Sequence, residues 1–299
     1  MSDTKNNDPR SLTMFVLSML IFGTIGVFRR YLPVSSAFLA FSRGMFGSLF
    51  LLLFMKLTEK GRGERLSLRQ TLWLALSGAA MGINWILLFE AYNYTTVAVA
   101  TLCYYMQPTI VMLLSPLIFR EKLTGKKVLC AMIAVGGMIL VSGVTGAQSA
   151  GKEGTRGILL GLGAALFYSI VIIMNKKAPG LEPYRKTTVQ LFSAGLVMIP
   201  YLLLTGGKGE GPFTPVTVLL LAVVGLVHTG VAYVLYFGSM DGLRTQSIAI
   251  FSYIDPVSAL IFSAVFLREP LTPMNLIGAL MIIGSAVVSE WRGTKGKGG

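Results

Sequence analysis

Apolar residues run along this chain in long blocks, broken by short polar and glycine-bearing joints. Ten such blocks can be read, at about 12–30, 34–56, 70–90, 97–118, 125–145, 156–175, 186–205, 215–237, 244–267 and 273–291. Each is close to the roughly 20 residues a helix needs to cross the hydrocarbon core. The short alternating segments of a membrane β-barrel are absent. The pattern therefore predicts an all-α integral membrane protein of ten transmembrane helices, embedded in a lipid bilayer. The short joints suit antiparallel neighbours.

The blocks repeat. Tyr105-Met106-Gln107-Pro108 leads to Phe119-Arg120-Glu121-Lys122-Leu123-Thr124. Tyr253-Ile254-Asp255-Pro256 leads to Leu267-Arg268-Glu269-Pro270-Leu271-Thr272. The offset is 148 residues throughout, in a chain of 299. Five blocks per half is an odd number, so the second half enters from the opposite face. The expectation is two inverted-topology five-helix repeats, at 12–145 and 156–291. They are joined by a linker at 146–155 and flanked by tails at 1–11 and 292–299. Such repeats place a substrate site near the midplane, between the halves.

Composition agrees with the pattern. Only 13% of residues are charged and 54% are hydrophobic, against about 25% charged in soluble domains. The net charge of +13 raises nucleic acid as a partner, but the cations sit in joints rather than on one face. With the N-terminus inside, 19 Lys and Arg fall on the inner side and six on the outer. That bias predicts a plasma (inner) membrane protein with both termini cytoplasmic. Cys103 and Cys130 lie in apolar runs and read as reduced packing residues. No cofactor or metal site is expected. Gly146-x4-Gly151-Lys152 imitates a nucleotide-binding loop, but Glu153 replaces the Ser or Thr that would bind magnesium. Pairs of small residues, Gly78-x3-Gly82 and Gly157-x3-Gly161, suit close helix packing within a monomer or, secondarily, a homodimer.

The doubled Pro…Arg-Glu-x-Leu-Thr corner, followed by an apolar helix with a late glycine (Gly136, Gly284), resembles the EamA-type repeat of the drug/metabolite transporter superfamily. The resemblance covers both copies. It implies a ten-helix bundle with a cavity lined mainly by helices 1, 3, 4, 6, 8 and 9, and a secondary transporter, often proton-coupled. It also implies a glycine where this chain has Arg120 and Arg268.

The corner residues have their own reading. Thr124 and Thr272 can cap the helices that follow, with Pro273 at the first helical position. Glu121 and Glu269 then precede those helix N-termini, where negative charge is favoured. Pro108 and Pro256 should bend helices 4 and 9 and serve as gating points.

Polar groups at membrane depth need a partner, a cavity or a task. Arg43 is the least expected, and its counterpart in the other half is Gln190. A guanidinium there could draw a substrate carboxylate, or pair structurally. Asp255 is the candidate for a coupling proton or a substrate cation, with Gln107 at the matching place; pairing with Arg43 is the structural alternative. His228 could shuttle protons or be a neutral core residue. Asn84, Trp85, Tyr105, Tyr168, Tyr233 and Tyr253 could supply aromatic walls and fixed polar groups. Glu90 could guard the entrance from near the outer end of helix 3. Together these predict an exporter of a small metabolite, an amino acid or related zwitterion, with protons as a coupling partner. The alternative is a multidrug or organic-cation exporter. No arrangement for catalysis is present.

Overall fold

The computed structural model describes residues 8–59, 66–120, 124–141, 152–178, 180–205, 207, 213–243, 247–248 and 251–290. Glu121, residues 146–151 of the nucleotide-loop imitation and the basic tail at 292–299 lie outside them. The described residues are helical, with no strand among them.

Segment 1 is α1 (Pro9–Gly23) and α2 (Ile25–Tyr31), broken at Thr24, and segment 2 is α3 (Ser36–Thr58). Segment 3 is α4 (Leu68–Tyr94). Segment 4 is α5 (Val97–Tyr104) and α6 (Gln107–Phe119), and segment 5 is α7 (Gly125–Val141). The second half begins with α8 (Lys152–Lys176) as segment 6. Segment 7 is α9 (Pro183–Leu196) with α10 (Met198–Thr205). Segment 8 is α11 (Pro215–Ala222), a π-helical stretch Val223–Val231, and α12 (Ala232–Met240). Segments 9 and 10 close with α13 (Ile254–Phe266) and α14 (Pro273–Glu290).

Among the described residues, seven helices are long and apolar enough to span a membrane, and Ile254–Phe266 and Pro273–Val288 are shorter apolar helices. That is a multi-pass membrane architecture; among the described residues seven of the ten expected crossings reach full length.

Polar caps start the helices where the sequence turns from loop to apolar run. Ser35, Thr96 and Thr214 each accept from the backbone N–H three residues on, and Ser67 and Gln70 form a reciprocal capping box. Thr272 caps α14 through the Asn275 N–H at 3.2 Å, and Thr124 does the same for α7 through Lys127 at 3.4 Å. Arg120 and Arg268, the matched corner residues, both adopt left-handed backbone with φ of 55° and 54°. This is the conformation glycine takes without cost.

Packing pairs the segments across the halves: 1 with 8 and 6 with 3, 2 with 7, and 5 with 10. Segment 3 also packs on 7 as 8 does on 2, and 6 packs on 4 as 1 does on 9. Exchanging the halves maps this pattern onto itself. The small-residue pairs serve it from within. A Cβ at Gly78 would meet the Gln190 backbone at 2.3 Å, and one at Gly161 would meet Cys103 at 3.0 Å. Close approach of this kind lets helices associate in lipid.

Candidate functional site: a central aromatic cavity

Segments 4 and 9 are broken rather than bent, and the break positions the site. The α-helix stops at Tyr104, turns through Tyr105 and Met106, and restarts at Gln107. Segment 9 turns through Ser252 and Tyr253 and restarts at Ile254. Pro108 and Pro256 therefore sit in the first turn of a new helix, where a missing N–H leaves nothing unsatisfied. The expected proline bend falls about one turn earlier, and it directs Tyr105, Gln107 and Asp255 inward.

These residues line a cavity of about 440 Å³ between the two halves. Trp85, Tyr104, Tyr168, Tyr233 and Tyr236 supply aromatic walls. Arg43 lies in the same lining with 7% of its surface exposed. Its guanidinium rests 4.3 Å from the centroid of the Trp85 ring, and its Nε donates to Thr229 Oγ1 at 2.9 Å. The terminal nitrogens have no hydrogen-bond partner among the described residues. Asp255 accepts a short hydrogen bond from the Tyr105 hydroxyl. No ion pair joins Asp255 to Arg43, so the structural pairing weighed from sequence is not made. The cavity thus holds a guanidinium and a carboxyl group separately, among aromatic rings. Gln107 adds a buried side-chain oxygen, Oε1, that has no partner among the described residues.

The cavity extends toward the end of the bundle bearing Asn175, Lys186 and Met240. At the opposite end the lining stops at Gly26, Tyr92 and Thr101, and two polar networks close the bundle beyond it. In the first, Arg29 donates to Leu32 O at 3.1 Å, and to Ser36 Oγ and Asn93 Oδ1 at 3.2 Å each. Ser36 and Asn93 in turn donate to Glu90 at 2.7 and 3.1 Å. In the second, Glu269 accepts from the N–H groups of Val97 and Ala98, at 3.0 and 3.3 Å. Arg30 bridges Glu269 (3.4 Å) and Thr95 O (2.8 Å). Sequence reasoning put Glu269 ahead of its own helix, α14. Its carboxylate instead caps α5, in the other half, where the helix dipole favours it.

Of the predicted site residues, Arg43, Trp85, Tyr105, Gln107, Tyr168, Tyr233 and Asp255 meet at the cavity. Asn84 does not: it is fully buried and donates to Ala164 O at 2.6 Å. Nor does His228, whose Nε2 lies 2.8 Å from Thr24 Oγ1 and whose ring meets Phe28 edge-on. Tyr253 stands at the segment 9 break, outside the lining. Glu90, partly exposed, accepts hydrogen bonds from Ser36 and Asn93 at the closed end. Sequence reasoning missed Lys186, counted only as a loop cation, and Thr101 and Thr187. It also missed Thr229, aimed at Arg43 by a π stretch that no propensity announces.

Apolar helices long enough to span a bilayer, packed around an aromatic cavity with a few fixed polar groups, are the architecture of a multi-pass membrane transporter. The profile of the EamA-like transporter family matches residues 10–143 and again 155–290. The chain belongs to that family. It is 30% identical over 277 residues to the uncharacterized transporter YxxF of Bacillus subtilis, covering 92% of this chain and 87% of that one. It is also 30% identical to an uncharacterized transporter of Archaeoglobus fulgidus, over 93% and 94% of the two chains. Protein PecM of Dickeya dadantii is 23% identical over 73% and 74%. A solved crystal structure superposes with a TM-score of 0.67 at 18% identity, over 98% of this chain and 100% of that one, which shows the shared fold.

Proposed function

We propose that this transporter is an alternating-access exporter of a small zwitterion, an amino acid or a related metabolite. In this reading Arg43 receives the carboxylate and Asp255 receives the ammonium or a coupling proton. The observation that carries it is the separation of these two charges. A cation with unpartnered donors and a carboxylate share one chamber, yet no ion pair neutralises them. Buried charges ordinarily pair, so two that remain apart are available to a ligand carrying both signs. The planar guanidinium suits bidentate capture of a carboxylate. The aromatic rings give an apolar body its contacts while the polar groups fix its orientation.

The inverted-repeat expectation has a geometric support. Glu269, just past the end of segment 9, caps the start of segment 4, its counterpart in the first half. Repeats entering from the same face would bring like ends together; these bring opposite ends together. The two family matches support repeat boundaries near 12–145 and 156–291. With the Lys and Arg bias setting the N-terminus inside the plasma membrane, the cavity extends toward the cytoplasm and the closed end faces out.

The experiment is counterflow of labelled amino acids in proteoliposomes. Asp255→Asn should abolish proton-driven uptake while leaving counterflow, and unchanged proton-driven uptake would remove Asp255 from coupling. The alternative, an organic-cation exporter, has the aromatic walls in its favour and the Arg43 guanidinium against it. Counterflow of quaternary ammonium compounds without any zwitterion would replace the first reading with the second.

A further inference from the structure

The contact between Tyr105 and Asp255 crosses from one half of the chain to the other. Tyr105 belongs to the break in segment 4, and Asp255 to the helix restarting in segment 9. The same offset of 148 residues relates Tyr105 to Tyr253 and Gln107 to Asp255. The contact therefore has an image under exchange of the halves, the Tyr253 hydroxyl on the side-chain oxygen of Gln107. That image is not made here. Gln107 Oε1 is buried and has no hydrogen-bond partner among the described residues. Orphaned acceptors of this kind are rare and call for a reason.

We propose that Tyr105 on Asp255 and Tyr253 on Gln107 are the two settings of one switch, so that Tyr253 and Gln107 are positioning residues for the opposite face of the transport cycle. The inference rests on the inverted-repeat transport reading, in which each half adopts in turn the conformation of the other. In the present setting a phenol holds the Asp255 carboxylate and Gln107 Oε1 has no partner among the described residues. In the other, Gln107 is satisfied and Asp255 loses its donor, leaving the carboxylate to an ammonium or a proton. The settings are unequal by chemistry. A hydrogen bond to a carboxylate is stronger than one to a neutral amide. The substrate-free protein therefore favours the arrangement in which the Glu269 end is closed.

Spin labels at Tyr31 and Phe266 read the switch. Both residues are exposed at the Glu269 end, and the Tyr31 hydroxyl reaches the Phe266 carbonyl at 3.4 Å. Cys103→Ser and Cys130→Ser clear the background. In substrate-free nanodiscs, double electron–electron resonance should show mainly the short distance. Tyr105→Phe should raise the ratio of long to short populations roughly tenfold, the scale of one hydrogen bond to a charged group. Adding Tyr253→Phe to that variant should lower the ratio again, and Gln107→Leu should do the same. Shifts in one direction for both tyrosines, or no response to Tyr253→Phe in the Tyr105→Phe background, would overturn the switch. Zwitterion counterflow by the same variants in proteoliposomes separates the two readings. Flux without opposed shifts removes the switch and keeps transport, whereas opposed shifts without zwitterion flux keep the switch and remove the substrate class.

Discussion

Arg29 and Arg43 are buried to the same depth, each with 7% of its surface exposed, in two regions that use them differently. At the closed end, Arg29 donates three hydrogen bonds from its terminal nitrogens and is tied through Ser36 and Asn93 to Glu90. In the cavity, Arg43 commits only Nε and leaves its terminal nitrogens over the Trp85 face. The same side chain is mortar in one region and an unfilled socket in the other. Burial alone does not tell them apart; the count of satisfied donors does.

The comparison breaks most visibly at Arg29. Arg29→Ala orphans the partners of a buried charge and should cost about 3 kcal/mol of stability, seen as a lowered Tm in detergent. Arg43→Ala should weaken zwitterion binding by roughly 2 kcal/mol, the scale of a charge-assisted hydrogen bond, measured by titration calorimetry. It should change Tm much less than Arg29→Ala, because Thr229 keeps its 3.2 Å bond to Val224 O. Equal Tm losses for the two variants would erase the distinction. Glu269→Gln removes the anion from the α5 cap and from Arg30. It should open the closed end by about 1 kcal/mol, read as faster alkylation of a Thr101→Cys reporter. Arg268→Gly relieves a left-handed residue and should raise Tm slightly, by no more than about 1 kcal/mol in stability.

The smallest effect lies at Asp8, which caps α1 through Ser11 N–H and Oγ at 2.9 and 2.8 Å. These bonds hold its carboxyl below its ordinary value of 3.8. A depressed pKa means that the capping contribution is present above that ordinary value and is lost as pH falls through the lowered one. Asp8→Ala should remove only the part of the acid-side slope that this cap supplies, in melts from neutral to acid pH.

Much of the fold was legible, because membrane spans announce themselves by length and the duplicated corner by its offset. The central residues Arg43, Asp255 and Trp85 were legible as polar or aromatic exceptions in apolar runs. Other parts were not, for one physical reason: their partners are far away in sequence. Glu269 caps a helix some 170 residues earlier, a relation no local pattern carries. Asn84 and His228 look like site residues by composition, yet Asn84 Nδ2 and the His228 ring find partners inside the wall. The left-handed corner was readable only through the family's preference for glycine there.

The π stretch in segment 8 shows in the spacing of its glycines. Gly78 and Gly82 in segment 3 are four residues apart, whereas Gly225 and Gly230 in segment 8 are five apart. Both pairs face the neighbouring segment at close range, α9 in one half and α3 in the other. The wider spacing of the second pair coincides with the widened turn of the π stretch, which keeps both glycines on their neighbour. Thr229 lies inside that turn and steadies Arg43. The two walls of the chamber therefore differ by one hydroxyl anchor, which the five-residue spacing supplies and the four-residue spacing does not.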